Sequence, residues 1–66
     1  MNKLIHKVTF TDARGNERTE EFTTDTDGDK FYAMGSTGCS KCYATRETAI
    51  REMLLDHCAT NIRVGA

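Results

Sequence analysis

Cysteine and histidine are the residues here with the most reactive chemistry. Cys39-Ser40-Lys41-Cys42 places two thiols two residues apart directly after Gly38, the spacing at which both sulfurs can face one zinc ion. Cys58, together with His57 or His6, would complete a Cys₃His set by count. The distances oppose this: a helix from Arg46 to Cys58 holds its ends roughly 18 Å apart, and adjacent His57 and Cys58 diverge by about 100° around it. A second chemistry for the same thiols is redox, which needs them immediately ahead of a helix N-terminus, whereas several residues intervene here. The plainer expectation is that Cys39 and Cys42 are loop thiols and Cys58 a small core residue, so the cofactor reading is none, or zinc.

Carboxylates form the other concentration. Between Glu17 and Asp29 there are six acids, Glu17, Glu20, Glu21, Asp25, Asp27 and Asp29, against the single base Arg18. A stripe of one sign steers association with a surface of the other, and an acidic protein can occupy a groove meant for nucleic acid. The competing account is a solvated hairpin face that keeps the chain soluble and protects a sheet edge. On the first account Glu20, Glu21, Asp25, Asp27 and Asp29 form an electrostatic face, with Tyr32 or Tyr43 exposed as an aromatic anchor. Asp25-x-Asp27-Gly28-Asp29 also resembles the opening of a calcium loop, but the sixth position is Lys30 and the twelfth Ser36, so an acidic turn is the better account.

The elements that must carry these residues are few. Sixty-six residues with 38% hydrophobic and 29% charged content and a formal net charge of -1 allow one small domain, residues 1–66. From Lys3 to Thr11 the period-2 alternation of Leu4, Val8 and Phe10 predicts a strand, which Ile5 and His6 interrupt without overturning. Asp12 to Asn16 carries turn chemistry and Glu17 to Thr24 resumes an extended run, giving a hairpin. Asp25 to Asp29 reads as a second breaker, Lys30 to Met34 as a short strand, and Gly35-Ser36-Thr37-Gly38 as a loop.

A helix is predicted from Arg46 to Cys58. Thr45 is its N-cap, Glu47 complements the dipole, Glu47 and Arg51 pair at i,i+4, and Ala49, Ile50, Met53, Leu54 and Cys58 make the apolar stripe, with Leu55 partly exposed. Ile62 to Val64 closes the chain as a strand. The fold class is therefore α+β: a small antiparallel sheet of three to four strands with one amphipathic helix packed on one face, in ββ(β)αβ order. The expected core is Leu4, Val8, Phe10, Phe22, Phe31 or Tyr32, Met34, Ala49, Ile50, Met53, Leu54, Ile62 and Val64.

Several function classes recede. No GxSxG, HExxH or phosphate-binding loop is present, and a domain this small struggles to enclose a substrate, so the reading is not an enzyme. No apolar run is long enough for a signal peptide or a membrane span, and three cysteines without an export signal suit a reducing cytoplasm. Near-neutral charge argues against direct nucleic-acid binding through phosphates.

In element order, an acidic hairpin, then Tyr43-Ala44-Thr45, an amphipathic helix and Asn61-Ile62-Arg63-Val64, the chain resembles small bacteriophage accessory proteins of the host-takeover or anti-defence kind, including compact inhibitors of bacterial RNA polymerase. The resemblance implies a non-enzymatic binder, phage or mobile-element encoded, that docks on a host machine. The expected partner is a protein with a basic surface, such as a nucleic-acid-handling complex. Two other readings stand beside it. One is a zinc-stabilised module in which Cys39, Cys42 and Cys58 hold the metal while Arg46, Arg51 and Arg63 contact phosphate. The other is a small dimeric structural subunit joined through Leu55 and the helix face.

Overall fold

The computed structural model describes residues 2–36 and 38–65. Two long strands, β1 (Leu4–Thr11) and β2 (Glu17–Asp27), form the expected hairpin, and β3 (Lys30–Gly35) and β4 (Gly38–Cys39) extend it as a meander. Helix α1 (Arg46–Leu55) then crosses one face, and β5 (Thr60–Val64) returns beside β1. The sheet has five strands in the order β4-β3-β2-β1-β5, each antiparallel to its neighbour. Among the described residues no helix is long and apolar enough to cross a membrane.

The fifth strand comes from the segment expected to be a loop. Met34 pairs with Cys39 and Gly35 with Gly38, and the ladder continues through Ser40, whose backbone N–H donates to the Ala33 carbonyl (2.8 Å) while its hydroxyl accepts from the Ala33 N–H (2.8 Å). Gly38, at φ 122°, supplies a backbone angle that other residues rarely adopt. Thr37 of that loop lies outside the described residues.

The acidic breaker is also shorter than expected. β2 runs through Asp25 and Thr26 to Asp27, and only Gly28 and Asp29 turn the chain before Lys30 pairs back with Asp27. Glycine first (φ 66°) in a two-residue hairpin loop matches the twist of the flanking strands.

Pairing register and the two-residue period sort the strands into faces. Val8, Phe10, Phe22 and Ala33 point toward α1 and meet Ala49, Ile50, Met53, Leu54 and Ala59 in the core, with Tyr43, Ile62 and Val64 packed against it. Phe10 and Phe22 meet edge to face at 6.4 Å. Gly35 lies over the Phe22 ring so closely that a Cβ there would sit 2.7 Å from two ring carbons.

Four expected core positions need correction. Leu4 is 51% exposed because α1 and β5 both stop short of the first residues of β1. Met34 and Tyr32 are half-buried on the face away from the helix, leaving Phe31 as the aromatic on the helix side. Cys58 is exposed, and Ala59 is buried in its stead.

The helix end explains that last exchange. α1 stops at Leu55 rather than Cys58, and the chain closes with Ala59 N–H bonded to the Leu54 carbonyl (3.0 Å) and Cys58 N–H to the Leu55 carbonyl (3.0 Å). This nested pair, with a left-handed residue inside it and buried Leu54 and Ala59 at its ends, is the Schellman arrangement, in which glycine usually takes the place held here by Cys58 (φ 62°). Cys58→Gly is accordingly expected to stabilise the fold by about 0.5–1 kcal/mol, read as a higher urea midpoint at unchanged m-value.

The other end of α1 follows the sequence reading. Thr45 Oγ1 accepts from Thr48 N–H (3.1 Å), and Arg51 Nε meets Glu47 Oε2 at 2.7 Å. In β5, Asn61 (φ 52°) is the extra residue of a bulge, since Thr9 pairs with Arg63 but Thr11 with Thr60.

Candidate interaction surface

The helix covers one face of the sheet and leaves the other open. On the open face the register aligns Cys39, Met34, Thr23 and Ile5 in one row across four strands, and Tyr32 beside Asp25 in the next. Ile5 is 65% exposed, while Met34 and Tyr32 are half-buried by their neighbours. Asp27 and Lys30 form the following row, which leads to the Gly28-Asp29 turn. The face thus joins an apolar and aromatic row to a carboxylate end.

The acidic stripe does not stay together. Alternation sends Glu20 to the helix side, where its carboxylate meets Arg18 Nη2 (3.1 Å) and accepts from the Ser36 hydroxyl (3.0 Å). Glu17 meets Arg63 at 2.7 Å, and Asp12 lies 3.8 Å from Arg18. Glu21 is exposed on the open face, opposite Lys7. At the other end of the sheet, among the described residues, no lysine or arginine nitrogen lies within 4 Å of Asp25, Asp27 or Asp29. Carboxylates are therefore ion-paired at the β1–β2 turn, whereas at the β2–β3 turn Lys3 acts on Asp25 through space and Lys30 stands opposite Asp27 without a contact inside 4 Å among the described residues.

Asp25 is held in place rather than free to rotate. Its Oδ1 accepts the backbone N–H of Thr26 (2.7 Å) and of Asn2 (3.2 Å), and these bonds, that of Thr26 first, hold its carboxyl below the usual carboxylate range. Asp12 is similarly lowered, chiefly by the Asn16 N–H in the β1–β2 turn.

The two proposed aromatic anchors divide. Tyr43 bridges to Phe31 through both backbone groups and packs against the core, whereas Tyr32 lies on the open face opposite Asp25.

The residues considered for metal are spread apart. Cys39 is on the open face of β4, Cys42 lies near Asp27, and His57 and Cys58 follow the far end of a ten-residue helix, about 15 Å long at 1.5 Å per residue. Among the described residues no three or more His, Cys, Asp or Glu side chains are grouped to hold a metal. The Cys42 thiol donates to Asp27 Oδ2 (3.4 Å), and that bond raises its pKa, disfavouring the thiolate that metal binding and redox chemistry require. The arginines of the phosphate-binding alternative are also engaged. Arg46 donates to the Thr24 backbone and hydroxyl, Arg51 bonds Glu47 and the Ile62 carbonyl, and Arg63 bonds Glu17.

On the helix side, a cleft of about 250 Å³ opens between the end of α1 and the β1–β2 turn, with Asp12, Arg18, Glu20 and Ser36 above Phe10 and Leu54. It falls below the roughly 300–1,000 Å³ of small-molecule sites, and its polar groups already bond one another.

A second feature escaped the sequence reading. Thr24, fully buried, accepts from Arg46 Nη1 (3.0 Å) at its hydroxyl, which lies 2.7 Å from His6 Nε2, while the Arg46 guanidinium sits 4.8 Å from the Phe31 ring centre. A hydroxyl that accepts from arginine is best placed to donate to unprotonated imidazole. Burial first, and Arg46 second, lower the His6 pKa. Because the unfolded chain then binds the proton more readily, this contribution to stability is complete above the ordinary histidine value of about 6.5 and is lost as pH falls through the lowered folded value. His6→Gln is expected to flatten the decline in urea midpoint just below that pH.

Comparison with protein-family models, with curated proteins and with solved structures finds no match to this chain.

Proposed function

We propose that the chain is a small non-enzymatic interaction protein that docks on a basic protein surface and inhibits the machine it binds. The docking face is the open side of the sheet at the β2–β3 end: Asp25, Asp27 and Asp29 supply charge, Tyr32 the aromatic anchor, and Met34 and Ile5 the apolar row beside them. The observation that carries this reading is that these three carboxylates, unlike those at the other end, have no lysine or arginine nitrogen within 4 Å among the described residues and border an apolar row. Fixed charge of one sign raises encounter rates, and a nearby aromatic supplies the short-range contact that holds a complex.

Glu21 lies on the same face at its margin, opposite Lys7, and Glu20 and Tyr43 take no part because they face the helix side and the core. A host complex that handles nucleic acid offers the required basic surface, in keeping with the resemblance to phage inhibitors. The test is capture of a basic partner from bacterial lysate by the wild-type chain and by an Asp25→Lys, Asp27→Lys, Asp29→Lys variant. The proposal expects the variant to lose the partner, and equal capture by both would contradict it.

A further inference from the structure

Asp27 is the one aspartate or asparagine of the sequence that is followed by glycine. The neighbour matters because the next residue's amide nitrogen can close a five-membered ring on the side-chain carboxyl carbon, and glycine has no Cβ to hinder that approach. Gly28 offers its nitrogen freely: it is exposed, no backbone carbonyl accepts its N–H among the described residues, and even an added Cβ would meet nothing within 4 Å. Asp27 is itself exposed and is the last residue of β2, a place where a strand opens at little cost. Other aspartates are held differently. Asp25 Oδ1 ties down the N–H of the residue that follows it, Thr26 (2.7 Å), and Asp12 Oδ1 accepts from Arg14 and Asn16 (both 2.9 Å). A second component comes from farther along the chain: the Cys42 thiol donates to Asp27 Oδ2 (3.4 Å), and the raised pKa keeps that proton on the sulfur at neutral pH. A proton therefore lies beside the oxygen that must depart if the ring closes.

We propose that Asp27-Gly28 is a site of spontaneous isoaspartate formation, with the Cys42 thiol as its general acid. The Gly28 nitrogen bonds to Asp27 Cγ and the Cγ–Oδ2 bond breaks. Oδ2 leaves as water, taking one proton from the Cys42 thiol and one from the Gly28 amide, and solvent returns a proton to the sulfur. Water then opens the succinimide. Addition at Cγ restores aspartate, whereas addition at the Asp27 backbone carbonyl carbon leaves Asp27 joined to Gly28 through its side-chain carboxyl. Nothing is oxidised or reduced, and the product keeps the mass of the starting chain. The side-chain methylene now stands in the backbone ahead of a two-residue loop whose length fixes the strand register, so the Asp27 and Lys30 pairing is lost. The chemistry needs no partner and stands independently of the docking reading, although it alters the turn on which that reading relies.

The test is to hold the reduced wild-type chain warm at neutral pH for several weeks and to measure isoaspartate by methylation with an isoaspartate-specific carboxyl methyltransferase. Electron-transfer fragmentation then places the modified residue. Methyl incorporation should grow with time and map to Asp27, and the backbone amide signals of residues 27–30 should split into two sets. Cys42→Val, at an exposed position outside the core, should slow the accumulation at least about tenfold, the low side of the about 10²–10⁴ that a positioned acid contributes. Absence of isoaspartate at Asp27, or as much of it at Asp25 and Asp29, would overturn the site, a result read on the wild-type chain alone. Equal rates in the wild-type chain and Cys42→Val would overturn the role of the thiol.

Discussion

Phe22→Ala is expected to leave the chain unfolded at 25 °C. Phe22 is fully buried in the central strand, meets Phe10 edge to face, and has Gly35 laid directly over its ring. Truncating a buried phenylalanine costs about 3–5 kcal/mol, and a core of this size supplies only about 3–5 kcal/mol in total, so one side chain matches the whole margin. The space left cannot be filled from Gly35, which has no side chain to move. Far-ultraviolet circular dichroism and amide shift dispersion should both show the loss. A folded Phe22→Ala protein, with its melting temperature lowered only a few degrees, would mean that the core lies elsewhere.

The Asp25→Lys, Asp27→Lys, Asp29→Lys variant has the largest expected effect on function. Each exchange changes the local charge by two units, at a turn where Asp27 and Asp29 are exposed and contribute nothing to the core. Steering by such fields changes association rates by about 10–10³ and fades as salt screens it. With the partner recovered from lysate, the association rate should fall at least about tenfold at low salt, and the gap to wild type should close at high salt. Asp25 also bonds the Thr26 and Asn2 backbone, so Asp27→Lys, Asp29→Lys alone serves as the variant that leaves those bonds in place. A rate that ignores both variants would remove the carboxylates from the interface.

Local rules carried much of the fold. Thr45, Glu47 and Arg51 mark the start of α1 because capping and i,i+4 pairing act within one turn, and the structure keeps all three. Alternation in β1 likewise survives at Ile5 and His6: one faces the open side, the other turns inward to Thr24.

What escaped sequence reading depends on pairing across the sheet. Glu20 and Glu21 are neighbours in the chain yet stand on opposite faces, so a run of acids along a strand is divided by the pleat. Counting by two from Phe22, an inward residue, would have separated them. The arginine that neutralises Glu17 comes from β5, and no local pattern names it. Cys58 was misplaced because it sits on the apolar stripe by count, while its left-handed backbone ends the helix without the glycine that usually signals it. Leu4 fits the strand pattern, and it lies outside the core because α1 and β5 both stop short of it.

These observations give the molecule two unlike ends. At the β1–β2 turn, Arg18 and Arg63 hold Asp12, Glu17 and Glu20; at the β2–β3 turn, three carboxylates adjoin Tyr32 and the Met34–Ile5 row. The most direct measurement of this asymmetry is a nuclear magnetic resonance titration of the chain with hexalysine at low salt, following backbone amides. The account predicts that the shifts concentrate at Asp25, Asp27, Gly28, Asp29 and Tyr32 and disappear as salt is added. Shifts centred on Asp12, Glu17 and Glu20, or spread evenly over both ends, would contradict it.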